Sequence, residues 1–140
     1  MDSAESILRD YDVIAVVGAS RDANKAAHSV PKQMQGAGFR IVPVNPYADA
    51  VLGQRVYRTL EEIPFPIDIV LVFRPSAEAA AVAKSAVAMG AKALWLQQGI
   101  ASPEARRIAH EGGLRYVEDE CSAVVRSMHQ VRKHRTASGE

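Results

Sequence analysis

The residues of this chain whose types and spacing suit chemistry come early, in the run Gly18-Ala19-Ser20-Arg21-Asp22-Ala23-Asn24-Lys25-Ala26-Ala27-His28. A glycine lets the backbone approach a ligand closely, loop N–H groups and the Ser20 hydroxyl donate to oxygen, and Arg21 and Lys25 bring positive charge. Such a set, at the entry to a helix, suits a phosphate. The run departs from the known phosphate fingerprints. Ser20 and Ala23 stand where Gly-x-Gly-x-x-Gly needs its later glycines, and the Walker pattern is absent. Gly18-Ala19-Ser20 also opens like a nucleophile elbow, but Asp22 replaces the closing glycine, so no serine nucleophile is expected. The plain alternative is that Gly18 only makes a tight turn.

Other reactive side chains are scattered. His28, His110, His129 and His134 form no pair at a zinc-ligand spacing, and only His28 borders the loop. Glu118-Asp119-Glu120 reads as a solvated acidic face near a helix start, where carboxylates are favoured, rather than as a metal site. Cys121 is the only cysteine, which rules out an internal disulfide and agrees with a reducing compartment. A small buried residue is its plain reading; a thiol able to exchange with a thiol-bearing ligand is the sharper one.

The elements that must position the loop are written in short runs rich in branched residues: Val13–Val17, Arg40–Val44, Ile69–Phe73, Ala93–Leu96 and Arg115–Val117. The first four are apolar on both faces, as a parallel strand covered by helices should be. Between them lie helical patterns at Ser29–Ala37, Ala77–Met89 and Pro103–Glu111. Ser29, Ser76 and Ser102 are the expected caps, with Pro31 in a first turn, and Gly38, Gly90 and Gly112 the expected left-handed stops. Ser3–Asp10 and Ser122–Val131 add a leading and a closing helix; Gly53–Tyr57 reads as a short strand and Leu60–Ile63 as a brief helix. The predicted fold is α/β: a single doubly wound domain over residues 1–132, with a mostly parallel sheet of order 3-2-1-4-5-6, a stunted third strand and helices on both faces. Pro43 supports the stunting, because it has no N–H to give to a ladder. Residues 133–140 read as a disordered polar tail.

The bulk numbers exclude several classes. A net charge of +1, from 17 basic and 16 acidic side chains, gives no reason to expect a nucleic-acid or membrane-surface partner. No run approaches a membrane span, and the acidic N-terminus does not resemble a signal peptide, so a cytoplasmic protein is expected. The second strand ends in Val44-Asn45-Pro46 without the carboxylate that usually takes a dinucleotide's ribose, which disfavours NAD.

Five segments in order carry a resemblance: Val16-Val17-Gly18-Ala19-Ser20, Lys25, Val42-Pro43-Val44-Asn45-Pro46, Phe73-Arg74-Pro75-Ser76 and Gln97-Gln98-Gly99. Together they resemble the stand-alone CoA-binding proteins, which are similar to the N-terminal domain of the succinyl-CoA synthetase α subunit. The resemblance runs from about Ile7 to Val131. It implies a Rossmann-type domain with coenzyme A as its ligand. Gly18, Ala19 and Ser20 would contact the diphosphate, and Lys25 would pair with a phosphate, with Arg21 and Arg74 adding charge. Asn45-Pro46, after Val44, would flank the nucleotide, and Phe73, Arg74 and Pro75 would line the crevice. Gln98 and Gly99 stand where the synthetases carry a Glu-Gly pair beside the pantetheine arm, and the change to glutamine separates this chain from their reaction chemistry.

The function expected is therefore binding of coenzyme A or an acyl-CoA by a non-catalytic module or carrier. Two alternatives stand beside it: a CoA-dependent acyl-transfer enzyme acting with a partner or through Cys121, and a regulatory domain for NAD or another nucleotide. A homo-oligomer or an unknown protein partner is left open.

Overall fold

The computed structural model describes residues 3–134. In chain order the elements are α1 (Ala4–Asp10), β1 (Val13–Val17), α2 (Ala26–Gly36), β2 (Arg40–Val44), β3 (Ala50–Val51) and β4 (Gln54–Arg55), followed by a 3-10 turn at Leu60–Glu62. Then come β5 (Ile69–Val72), α3 (Ser76–Ala88), β6 (Ala93–Leu96), α4 (Pro103–Glu111), β7 (Arg115–Val117) and α5 (Ser122–Met128).

Five strands form one parallel sheet in the order β2-β1-β5-β6-β7. Register runs straight across it, with Val17 level with both Val44 and Val72, so three strands end at one height. The sheet parts two apolar layers, as a doubly wound domain requires. On β6, Ala93 and Trp95 join the layer built with α1, α2 and α5, while Leu94 and Leu96 join the layer built with α3 and α4. The α3–α4 contact is close because its residues are small. Ala79, Ala83, Ala86, Ala105 and Ala109 have no exposure, and a Cβ on Gly112 would come 2.5 Å from Val87 Cγ2.

The strand order agrees with the sequence reading once the stunted third strand is identified. It is a single parallel bridge, Val44 to Tyr57. The Tyr57 N–H donates to the Pro43 carbonyl at 3.0 Å, so Pro43 turns its N–H-less side toward this nearly unpaired edge. The rest of the expected strand folds differently: Gln54–Arg55 turns back on Ala50–Val51 as a two-residue antiparallel hairpin.

Four local expectations are corrected. The helix expected from Ser29 begins at Ala26, so Pro31 lies in its interior and Ser29 is no cap. Ser76 is the first residue of α3 rather than its cap, and its hydroxyl accepts instead from the Ala101 N–H at 3.1 Å. Gly113 (φ +78°) is the left-handed residue after α4; Gly112 keeps a negative φ and serves the close packing on Val87. The closing helix stops at Met128, three residues before the expected Val131. Ser102 does cap α4, accepting from the Ala105 N–H at 3.0 Å.

Most of the polar tail expected from Lys133 lies outside the described residues. Lys133 itself is docked: its N–H donates to Ala37 O at 2.7 Å, and its ammonium donates to Arg9 O at 2.7 Å and lies 5.3 Å from the Phe39 ring centre. No helix among the described residues is long and apolar enough to cross a membrane.

Candidate functional site

The chain leaves β1 toward the α2 face and leaves β5, its neighbour, toward the α3 face. That divergence opens a crevice at the carboxyl ends of the strands, the place where open α/β sheets hold ligands.

Gly18 knits this point together. Its φ of +90° suits glycine, and a Cβ would lie 3.0 Å from Arg74 Cδ and 3.1 Å from Phe73 O. Its N–H donates to Val44 O at 3.0 Å, while the Phe73 N–H donates to Val17 O at 2.8 Å. The ends of β1, β2 and β5 are thereby held to one another. Ala19 is fully buried, and the Ser20 N–H donates to Ala27 O at 3.1 Å. The backbone donors of Gly18 and Ser20 are thus committed inside the protein. What can face an anion is the Ser20 hydroxyl, the start of α2, which no side chain caps, and two cations. Arg21 and Lys25 are exposed, and among the described residues their side chains have no ion pair or hydrogen bond.

Asn45 is a clamp. Its Nδ2 donates to Ala19 O at 2.8 Å, and its Oδ1 accepts from the N–H groups of Tyr47 and Ala48 at 2.6 and 2.8 Å. Pro46 is exposed beside it and Val44 is buried below. Arg58 secures the same loop, donating to Asn45 O at 3.1 Å and Ala48 O at 2.5 Å and pairing with Asp49 at 2.7 Å. The first carboxylate after β2, Asp49, is thereby paired with Arg58. Tyr47 is held by its backbone yet its residue is 85% exposed.

Across the crevice, Phe73 is half-buried and Pro75 exposed. Arg74 is bound by both its Nε and Nη2 to Glu78 at 3.0 Å, so its charge is already partnered. Further along, Gln98 is exposed and Gln97 is the inward residue, with Oε1 accepting from Ser122 N–H and hydroxyl at 3.2 and 3.3 Å. Gly99 (φ +87°) donates its N–H to Asp119 Oδ1 at 2.7 Å, and Asp119 (φ +55°) returns its own N–H to Ile100 O at 3.0 Å. Cys121 is half-buried, precedes α5 and packs on the core beside it. Glu118 accepts from the Tyr116 hydroxyl at 2.8 Å; burial first, and then this bond, hold the Tyr116 phenol well above its ordinary pKa. Among the described residues no three His, Cys, Asp or Glu side chains are grouped to hold a metal.

A hollow of about 780 Å³ lies elsewhere, along the outer edge of β7 against Arg106, His110 and Tyr116. Charge and an uncapped helix start, the features that suit a phosphate, lie instead at the ends of the central strands.

The structure therefore brings Gly18–Arg21, Lys25, Val44–Pro46 and Phe73–Pro75 together at neighbouring strand ends and sets Gln98 and Gly99 farther along the same edge. Sequence reasoning passed over Arg58, Tyr47 and the interior position of Pro31, and read Asp119 only as part of a solvated acidic face, where it in fact holds the Gly99 N–H. The signal for Tyr47 was available, an aromatic directly after the Asn-Pro turn. Arg58 and Asp119 act through contacts that no spacing rule anticipates.

An open parallel sheet with a phosphate-suited loop at its switch point defines a Rossmann-type ligand-binding domain. Residues 12–127 match the CoA binding domain family, and the chain belongs to that family. It is 40% identical over 124 residues to YneT, an uncharacterized protein of Bacillus subtilis, covering 89% of this chain and 92% of that one. It is 35% identical over 63 residues to the II subunit alpha of the ADP-forming acetate–CoA ligase of Pyrococcus furiosus, a stretch that is 44% of this chain and 14% of that subunit. Among solved structures, a hypothetical protein from Pyrococcus horikoshii superposes with a TM-score of 0.86 at 32% identity, covering 91% of this chain and 92% of the other.

Proposed function

We propose that this protein binds coenzyme A or an acyl-CoA by its phosphates at the loop after β1, as a non-catalytic cytoplasmic module or carrier. The observation that carries the reading is the pair of cations, Arg21 and Lys25, without a partner among the described residues, beside the uncapped start of α2 at the switch point. Family membership supports the ligand class. Coenzyme A suits this donor set, since it offers a diphosphate and a 3′-phosphate to two cations and a helix N-terminus. The exposed Tyr47 ring, on a loop already fixed by Asn45 and Arg58, offers a face on which the adenine stacks at little ordering cost. Gln97 and Gln98 bring no carboxylate to the pantetheine side, which favours holding over reacting.

Isothermal titration with coenzyme A, acetyl-CoA, NAD and ATP tests this directly. CoA species should bind alone, and the Ser20→Ala, Lys25→Ala double variant should lose about 2–4 kcal/mol, the value of losing charge-assisted bonds to phosphate. Tight NAD binding, or no binding of any of the four, overturns the reading.

A further inference from the structure

An interior helical proline has no N–H for the carbonyl four residues back, which normally stays without its helix partner. In α2 that proline is Pro31 and the carbonyl is Ala27's. The Ala27 oxygen has a partner all the same: the Ser20 N–H reaches it from the loop at 3.1 Å. One residue on, His28 Nδ1 lies 2.8 Å from Ser20 O. Both backbone polar groups of Ser20 are thus held by the first turn of the helix that follows it. An ordinary residue at position 31 would direct its own N–H at the same oxygen, in line with the helix axis.

We propose that Pro31 is a positioning residue, keeping the Ala27 carbonyl open so that Ser20, and with it the segment bearing Arg21 and Lys25, is fastened in one arrangement. This rests on reading that loop as the phosphate site. The device trades helix regularity for loop order, so restoring an N–H at position 31 strengthens the helix and loosens the loop. A proline retained only to fill space would show neither effect on Ser20. Pro31 is buried, and for that reason two variants are needed: Pro31→Ala, which restores the N–H and shrinks the side chain, and Pro31→Val, which restores it while keeping bulk.

The experiment follows amide hydrogen exchange at Ser20, the melting temperature, and coenzyme A titration of the full chain. In both variants exchange at Ser20 should quicken roughly tenfold or more, since its acceptor now has a competitor. The coenzyme A Kd should rise about fivefold, because binding must then order the loop. The melting temperature of Pro31→Val should hold or rise. Unchanged exchange at Ser20 in Pro31→Val overturns the proposal, as does quickening confined to Pro31→Ala, which would assign the effect to lost packing. If the unmodified chain binds no coenzyme A, the phosphate reading falls, while exchange at Ser20 still decides whether Pro31 fastens the loop.

Discussion

The two banks of the crevice are built on opposite principles. On the bank formed by the ends of β1 and β2, the backbone is tightly cross-linked, through Gly18 to Val44, Asn45 to Ala19 and Arg58 to Ala48, while the charged tips of Arg21 and Lys25 have no partner among the described residues. On the other bank, past the end of β5, the ends of β6 and β7 carry polar groups that answer one another: Gly99 with Asp119, Asp119 with Ile100, Trp95 with Glu120, Gln97 with Ser122. The first bank is rigid and unsatisfied at its surface, the condition for receiving an anion without paying to order the receptor. The second is rigid and satisfied, the condition for a wall.

The contrast can be broken in three places. The largest effect is expected at Asn45→Ala, which removes three hydrogen bonds from the first bank at once. Chemical denaturation should show a loss of about 2–3 kcal/mol, and coenzyme A affinity should fall with it, because each bond is worth roughly 1 kcal/mol and the loop then has to be ordered by the ligand. An Asn45→Ala chain with full affinity would mean that the clamp serves only the fold.

Asp119→Ala, on the second bank, should cost about 1–2 kcal/mol in the same assay, since the bond to Gly99 is lost and alanine tolerates the left-handed φ less well than aspartate. Coenzyme A affinity should stay within about twofold, as no phosphate donor is disturbed. A fall comparable to that of Asn45→Ala would show that both banks grip the ligand.

The smallest effect is expected at Tyr116→Phe. The folded state raises this phenol's pKa, by burial and by its bond to Glu118, so the neutral form is favoured. Its contribution is complete below the ordinary tyrosine value of 10.0 and is lost as pH climbs toward the higher folded value. Melting curves between neutral pH and alkaline pH should therefore drop less steeply in Tyr116→Phe than in the unmodified chain.

The sequence made the strands legible because each buried strand is a short apolar run bounded by turn residues. Four of the five runs, Val13–Val17, Arg40–Val44, Ala93–Leu96 and Arg115–Val117, keep their bounds in the structure. Helix starts were less legible. Ser29 and Ser76 look like caps, yet α2 and α3 begin earlier, because Lys25 and Pro75 take the extended backbone that precedes each helix. The hairpin at 50–55 was missed because two-residue strands carry no periodicity to read. For the site, chemistry was readable and allocation was not. The loop residues are of the right types, but only coordinates reveal that the Gly18 and Ser20 N–H groups are already engaged, that Arg74 belongs to Glu78, and that Gln97, not Gln98, turns inward.

The clamp at Asn45 also bears on how the molecule ages. Asparagine side chains deamidate when the nitrogen of the next residue attacks the side-chain amide, which requires that nitrogen to carry a hydrogen. The residue after Asn45 is Pro46, whose nitrogen carries none. Conversion to aspartate would turn the Nδ2 donor into an oxygen facing the Ala19 carbonyl, setting acceptor against acceptor at 2.8 Å. The proline closes that route at the position where it would do most harm, whereas Asn24, followed by Lys25, has no such protection. Stored protein should lose the amide of Asn24 well before that of Asn45.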